Sequence, residues 1–219
     1  MKELIAILFL LSFLNFYSQT QSGFVVSANQ AQIASNDLIN VQSGIGFGIG
    51  LNILSSIHNS ADLISEITYT RKNLSIDGYQ DYNSNAVNYD NAIKYNIDNV
   101  NISFLYNQYL IVPNLNKFNL AVQGGLGVSV SIGEWGHKES EAIKSFEPEL
   151  FSTFLRTGIS GGIEQFRITL SYTKTFGNFL NGVQVNDTPD ASNSYKSRAF
   201  NGKHHCFSIA LIYYTDIFK

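Results

Sequence analysis

Residues 166–176 read "FRITLSYTKTF", and this stretch decides the fold because apolar and polar side chains alternate along it. The even positions carry Phe166, Ile168, Leu170, Tyr172, Lys174 and Phe176, and the odd positions carry Arg167, Thr169, Ser171, Thr173 and Thr175. Side chains point to opposite faces in turn along a β-strand, so the pattern predicts a strand with one apolar and one polar face. Lys174 is the only residue that breaks the two-face pattern.

The same period of two recurs along the chain and predicts eight strands. They cover 23–29, 44–51, 62–74, 99–107, 118–132, 151–163, 166–176 and 206–217. Long polar segments (31–43, 75–96, 133–150 and 178–203) alternate with short connections (55–61, 111–116 and 164–165). Long loops at one rim and tight turns at the other are typical of an even-stranded barrel. We therefore predict an all-β fold, an eight-stranded antiparallel up-and-down transmembrane β-barrel, whose long segments are solvated loops.

The N-terminal residues predict a removable leader. A short charged start is followed by an apolar run from Leu4 to Phe16, and Ser18 is a small residue suited to cleavage. The run is shorter than the ~20 residues that a membrane-spanning helix needs. We predict a signal peptide at 1–18 and a barrel domain at 19–219; the alternative is an N-terminal buried helix.

Composition indicates which face of the strands meets lipid. Charged residues make up 14% of the chain, against ~25% in soluble domains, and aromatic residues make up 13%. The polar face is mostly Ser, Thr, Asn and Gly, whereas the outer face of a soluble, ligand-carrying barrel would be rich in Lys and Glu. Two aromatic-rich girdles are expected, with Phe118, Phe166 and Ile217 at the short-turn end and Phe151, Phe176 and Phe207 at the long-loop end. The sequence thus predicts the cell outer membrane, with outer-membrane lipid as the partner of the apolar face and a soluble calyx as the alternative.

The predicted interior contains charges of both signs and a run of glycines. The charged set is Glu66, Lys72, Arg156, Arg167 and Asp216. Buried charges are tolerated when they are paired, so we expect these residues to form a central polar network. Residues 44–51, "GIGFGIGL", do not fit the G-x-G-x-x-G spacing of a dinucleotide loop. Alternation instead turns the glycines inward, where Arg156 and Arg167 are the candidates to fill the space beside them.

Several chemistries are not supported by the sequence. The net charge of -3 does not suit a nucleic-acid partner. His137, His204 and His205 match no zinc spacing, and we predict neither a metal nor a cofactor. His204 and Ser208 share a strand face but lie ~13 Å apart. His204 and Cys206 are a closer but unoriented pair, so we predict no catalytic residue and expect solvated rim histidines beside an inward thiol.

One stretch resembles a known family. Residues 63–73, "LISEITYTRKN", resemble the Glu-x-x-Tyr-[ST]-x-Lys-Gly strand of PorT-like outer-membrane β-barrel proteins of Bacteroidota, through Glu66, Tyr69, Thr70 and Lys72. Asn73 stands where that family usually has glycine. The hairpin at 101–130, with Pro113 in its turn, is similar to the following hairpin of the family. The resemblance implies an outer-membrane location and no catalytic residues.

Three functions remain open at this stage. The first is a non-enzymatic barrel whose long extracellular loops form a binding or envelope-interaction surface, since loops carry function on a rigid scaffold. The second, implied by the family resemblance, is an accessory role in secretion or envelope assembly. The third is a lipid-modifying enzyme at the rim, using His204, His205 or Cys206.

Overall fold

The computed structural model of the 219-residue chain consists of β-strands joined by turns. It describes residues 20–34, 38–80, 87–88, 93–112, 118–137, 143–145, 150–176, 180–186 and 197–215. Within these residues no helix is long and apolar enough to span a membrane. The predicted signal peptide at 1–18, the proline turn and Asp216 lie outside the described residues.

Twelve strands are present in the described chain. They are β1 (Thr20–Ala34), β2 (Leu38–Ser43), β3 (Ile45–His58), β4 (Ala61–Gln80), β5 (Val87–Asn88), β6 (Ile93–Ile111), β7 (Phe118–His137), β8 (Ile143–Ser145), β9 (Phe151–Ile163), β10 (Phe166–Phe176), β11 (Leu180–Asn186) and β12 (Ser197–Thr215). Eight of them form the barrel wall, in the order β1-β3-β4-β6-β7-β9-β10-β12. Antiparallel pairing of β12 with β1, from Ser22↔Thr215 to Ala34↔Lys203, closes the wall. The prediction of an eight-stranded antiparallel up-and-down barrel is confirmed.

The strand boundaries agree best where alternation is strict. The predicted strands 151–163 and 166–176 coincide with β9 and β10, and the turn between them lies at 164–165.

The interpretation of the long segments as solvated loops is wrong in part. Residues 75–80 continue β4, and β2 pairs beside them from Leu38↔Tyr79 to Ser43↔Leu74. Backbone hydrogen bonds between β2 and β4 hold these segments together as strands.

The apolar face of the wall points outward. Exposed side chains include Phe24, Val26, Phe47, Ile49, Leu51, Ile67, Phe118, Val122, Leu126, Val128, Phe151, Leu155, Ile159, Phe166, Ile168, Leu170, Phe176, Phe207, Ile209 and Leu211. Water does not favour so large and continuous an apolar surface, whereas lipid covers it at no cost. This arrangement excludes the soluble calyx, in which the apolar face points inward.

The sequence suggested a polar interior, but the inside of the barrel also contains an apolar layer. Seven buried apolar or aromatic side chains meet across the lumen and form a layer that we call the septum: Val25, Leu54, Ile64, Leu105, Ala210, Ile212 and Tyr214. They come from β1, β3, β4, β6 and β12. Small polar side chains alone would leave voids, and filling this level with apolar groups gives interior packing density.

The glycines of β3 do face inward, but the expectation that Arg156 and Arg167 fill the space beside them is wrong. The nearest atoms belong to adjacent strands. A Cβ on Gly48 would lie 2.6 Å from Ser27 Oγ, and one on Gly50 would lie 2.3 Å from the Ile67 carbonyl oxygen. Glycine is needed here because β3 approaches its neighbours too closely for any side chain.

Candidate functional site

The upper part of the lumen, on the long-loop side of the septum, holds an ion pair. Arg156 Nη1 donates to Glu66 Oε1 at 2.5 Å, and the two residues are 90 positions apart in sequence. Both side chains are almost fully shielded from solvent. Arg156 Nε also donates to Ser171 Oγ at 3.3 Å, and Ser171 Oγ is 2.7 Å from Ser208 Oγ. The pair therefore sits in a hydrogen-bonded setting that offsets part of the desolvation of its charges.

A cavity of about 70 Å³ lies beside this ion pair. It is lined by Glu66, Lys72, Arg156, His204 and Cys206, together with hydroxyl and amide side chains from β1, β4, β6, β7, β9, β10 and β12. Such a volume holds only a few water molecules. The upper lumen is thus filled by side chains and offers no wide passage.

The lower part of the lumen, on the short-turn side, holds a different charged cluster. Arg167 Nη2 donates to the Tyr109 hydroxyl at 2.6 Å. The guanidinium carbon lies 5.6 Å from the Tyr109 ring centre and 5.3 Å from the Tyr214 ring centre. The buried Asp62 carboxylate lines the same part of the lumen as Tyr109 and Arg167. Two aromatic faces and one hydroxyl stabilise this cation without a direct ion pair.

The five charged residues predicted for the interior therefore do not meet in one network. Glu66, Lys72 and Arg156 line the upper cavity, whereas Arg167 lies in the lower cluster with Asp62. Asp216 lies outside the described residues. The septum separates the two clusters because its side chains occupy the level between them.

Sequence reasoning missed Tyr109, Tyr214 and the inward role of Asp62. Asp62 lies on the same face of β4 as Glu66, at a spacing of four residues, so strand alternation alone could have found it. Alternation also places Tyr214 on the inward face of its strand, with Cys206 and Ser208, whereas Tyr109 lies beyond the predicted strand 99–107. Their part in holding Arg167 depends on the pairing of strands that are distant in sequence.

The candidates for catalysis are spread over both faces of the wall. His204 is buried, not the solvated rim histidine that we expected, and its Nδ1 is 3.2 Å from Thr175 Oγ1. Cys206 is a buried, inward thiol, as expected. His205 points to the outer face and its Nδ1 is 2.5 Å from the Tyr172 hydroxyl. Within the described residues no group of three or more His, Cys, Asp or Glu side chains could hold a metal ion.

These features define a class. A closed antiparallel barrel with a lipid-facing exterior and a side-chain-filled lumen is a transmembrane β-barrel of the outer-membrane type, and the molecule resides in that membrane. No protein-family model and no curated protein matches the sequence.

Solved structures of similar fold include outer-membrane proteins. Ail, the attachment invasion locus protein of Yersinia pestis, is 12% identical, with a TM-score of 0.45 over 90% of this chain and 99% of its own. Neisserial surface protein A is 13% identical, with a TM-score of 0.49 over 88% and 96%. The outer membrane protease OmpT of Escherichia coli is 8% identical, with a TM-score of 0.50 over 90% and 94%. At these identities the likeness concerns the fold alone.

Proposed function

We propose that the chain is a non-enzymatic outer-membrane scaffold that presents a binding or envelope-interaction surface at its long-loop rim. The observation that carries this proposal is the difference between the lumen and the rim. The lumen is closed by the septum and by two buried clusters, whereas the wall continues far beyond the length that a membrane requires. A closed lumen leaves the exposed rim as the part that can meet a partner.

The length of four strands supports this interpretation. The strands β4, β6, β7 and β12 contain 20, 19, 20 and 19 residues. A membrane strand needs only ~9–11 residues, so each has about ten residues to spare, or roughly 30 Å of strand. The short strands β2 and β5 pair onto the extension of β4, β11 pairs onto that of β12, and β8 pairs onto β11, so the extensions widen into a hydrogen-bonded wall. A rigid wall of this kind can hold loops in a fixed arrangement.

Conductance and surface accessibility test the proposal. Purified protein in planar bilayers is expected to give no stable channel of hundreds of picosiemens, because the septum blocks the lumen. Protease added to intact cells is expected to cut within 81–92 and 187–196, while the turn at 164–165 is cut only after the outer membrane is permeabilised. A large conductance, or cleavage at 164–165 in intact cells, would contradict the proposal.

A second candidate is an accessory role in secretion or envelope assembly, supported by the resemblance to PorT-like barrels. The motif residues Glu66 and Lys72 both line the upper cavity, and Tyr69 donates to Asp98 Oδ1 at 2.8 Å on the outer side of the wall. These contacts give the motif a role in building the barrel, independent of any secretion partner. A strain lacking the protein is expected to show reduced secretion or an altered surface if this candidate is correct, and normal secretion and surface assembly would exclude it.

A further inference from the structure

Lys174, the one break in the alternation of β10, lies in a cationic patch on the outer face of the barrel. It is exposed and directly opposite His205 on β12. Lys203, two residues before His205 and on the same strand face, is also exposed. On the outer faces of β1, β9, β10 and β12, no residue that the structure describes is acidic. We call Lys174 and Lys203 the rim cation patch, and His205 lies beside them.

Aromatic contacts fix the lower edge of the patch. The Tyr172 hydroxyl and His205 Nδ1 are 2.5 Å apart, and their rings are stacked at 5.9 Å. Tyr172 also packs on Phe207, with ring centres 4.9 Å apart. Tyrosine rings of this kind lie at the level where the lipid headgroups begin. The patch therefore sits at headgroup level, next to the apolar belt.

An apolar groove of about 790 Å³ opens directly below the patch. Its walls include Ile45, Ile159, Leu170, Phe207 and Ile209, and smaller residues such as Ala28 and Thr157 leave the depression between them. The register places Tyr172↔Phe207 one step below Lys174↔His205, and Leu170↔Ile209 one step further. The groove thus runs down the lipid-facing wall from the cation patch.

We propose that the rim cation patch and this groove bind one phosphorylated, acylated lipid of the outer leaflet. The lipid phosphate contacts Lys174 and Lys203, and one acyl chain lies in the groove. Charge complementarity supports this occupant, because cations at headgroup level attract phosphate. The position of the groove in the membrane also supports a lipid as the occupant. Its lower part faces the hydrocarbon layer, which acyl chains reach and water-soluble proteins do not. The site is distinct from the long-loop surface of the proposed function and does not depend on it.

Native mass spectrometry of the full-length barrel in detergent tests the phosphate contact, with lipid A as the probe. The wild-type protein is expected to retain one lipid A molecule. The double variant Lys174→Gln/Lys203→Gln is expected to bind it about tenfold more weakly or worse, since each cation near a phosphate contributes to binding. Lys94→Gln removes one charge from β6, on the opposite wall, and is expected to bind normally. Equal binding by the wild type and the double variant would overturn the proposal.

The groove is tested without any change of charge. Ala28→Leu fills the depression and is expected to weaken lipid A binding severalfold, whereas Val26→Leu, on the same strand face but outside the groove, leaves it unchanged. These positions face lipid, so each variant is expected to keep the heat-dependent gel mobility of the wild type. Equal binding of lipid A and its dephosphorylated form would refute the phosphate assignment, and equal binding by the two leucine variants would refute the groove.

Discussion

The two charged clusters inside the barrel stabilise a buried arginine in different ways. In the upper lumen, Arg156 makes a direct ion pair with Glu66 at 2.5 Å. In the lower lumen, Arg167 lies between the rings of Tyr109 and Tyr214 and donates to the Tyr109 hydroxyl at 2.6 Å. The septum keeps the two arrangements apart.

The difference shows that a buried cation does not require an adjacent carboxylate. In an ion pair, one contact offsets most of the cost of removing the charge from water. The loss of either partner therefore leaves a full charge buried and unpaired. In the tyrosine cage around Arg167, two ring faces and a hydroxyl share the stabilisation of the buried cation, and each of them contributes less than a carboxylate would. The two clusters should therefore respond very differently to the loss of one group. Three substitutions test this difference and a fourth tests the septum between the clusters, in order of expected effect.

The largest effect is expected for Glu66→Leu. Removal of the carboxylate leaves the Arg156 guanidinium buried and uncompensated, which should lower the free energy of unfolding by about 3–5 kcal/mol. Urea unfolding in lipid vesicles, followed by gel mobility, measures the change. The double variant Glu66→Leu/Arg156→Leu should regain most of the loss, because it removes both charges. A double variant as unstable as the single one would show that the ion pair is not the cause.

The second-largest loss of stability is expected for a substitution in the septum, Ile64→Ala. Ile64 is fully buried between the two clusters, and the cavity left by the substitution should cost about 3 kcal/mol. Ile67→Ala on the lipid-facing side of the same strand is the control and should cost much less, because Ile67 is 47% exposed. The same urea assay applies to both variants. Equal losses would mean that the septum does not pack as a core.

A smaller effect, about 2 kcal/mol, is expected for Arg167→Leu. The substitution removes the contacts with two rings and one hydroxyl, none of which is a direct ion pair. The midpoint of urea unfolding should therefore fall less than for Glu66→Leu. If the two variants are equally unstable, Arg167 and Asp62 act as an ion pair, and the contrast between the clusters does not hold.

The smallest effect is expected for Tyr109→Phe, at about 1 kcal/mol. This substitution keeps the ring face over Arg167 and removes only the hydroxyl that accepts a hydrogen bond from Arg167. Tyr106→Phe is a matched control on the same strand, since the exposed Tyr106 donates only to Gln108, at 2.9 Å. Thermal gel-shift midpoints of the two variants can be compared directly. A loss for Tyr109→Phe as large as that for Arg167→Leu would place the stabilisation in the hydroxyl and not in the rings.

The wall was predictable where one face meets lipid and the other the lumen. Burial on one side alone enforces a period of two, which is why β9 and β10 were found with correct ends. The extensions of β4, β6, β7 and β12 were missed because their residues do not continue the apolar and polar alternation of the predicted strands. Short strands such as β5, with two residues, carry too few positions for any pattern.

The candidate site was predictable only residue by residue. Alternation predicted that Glu66, Arg156 and Arg167 point into the lumen, but it did not predict which of these side chains contact one another. Ile64 and Leu105 stand among polar residues of their strand faces, and this irregularity is visible in the sequence. That they belong to one layer with Leu54 and Ile212 follows from strand register alone.

The sequence by itself determined the eight wall strands, their two faces and the closed barrel, because these follow from local alternation and from the order of long and short connections. The tertiary structure decided the pairing of Arg156 with Glu66, the tyrosine cage around Arg167, the septum, and the meeting of Lys174 with His205. Those contacts join residues far apart in sequence, and their geometry is fixed by strand register and barrel closure. The local sequence pattern determines to which face of the wall a side chain points, whereas strand register and barrel closure determine which other side chains it contacts.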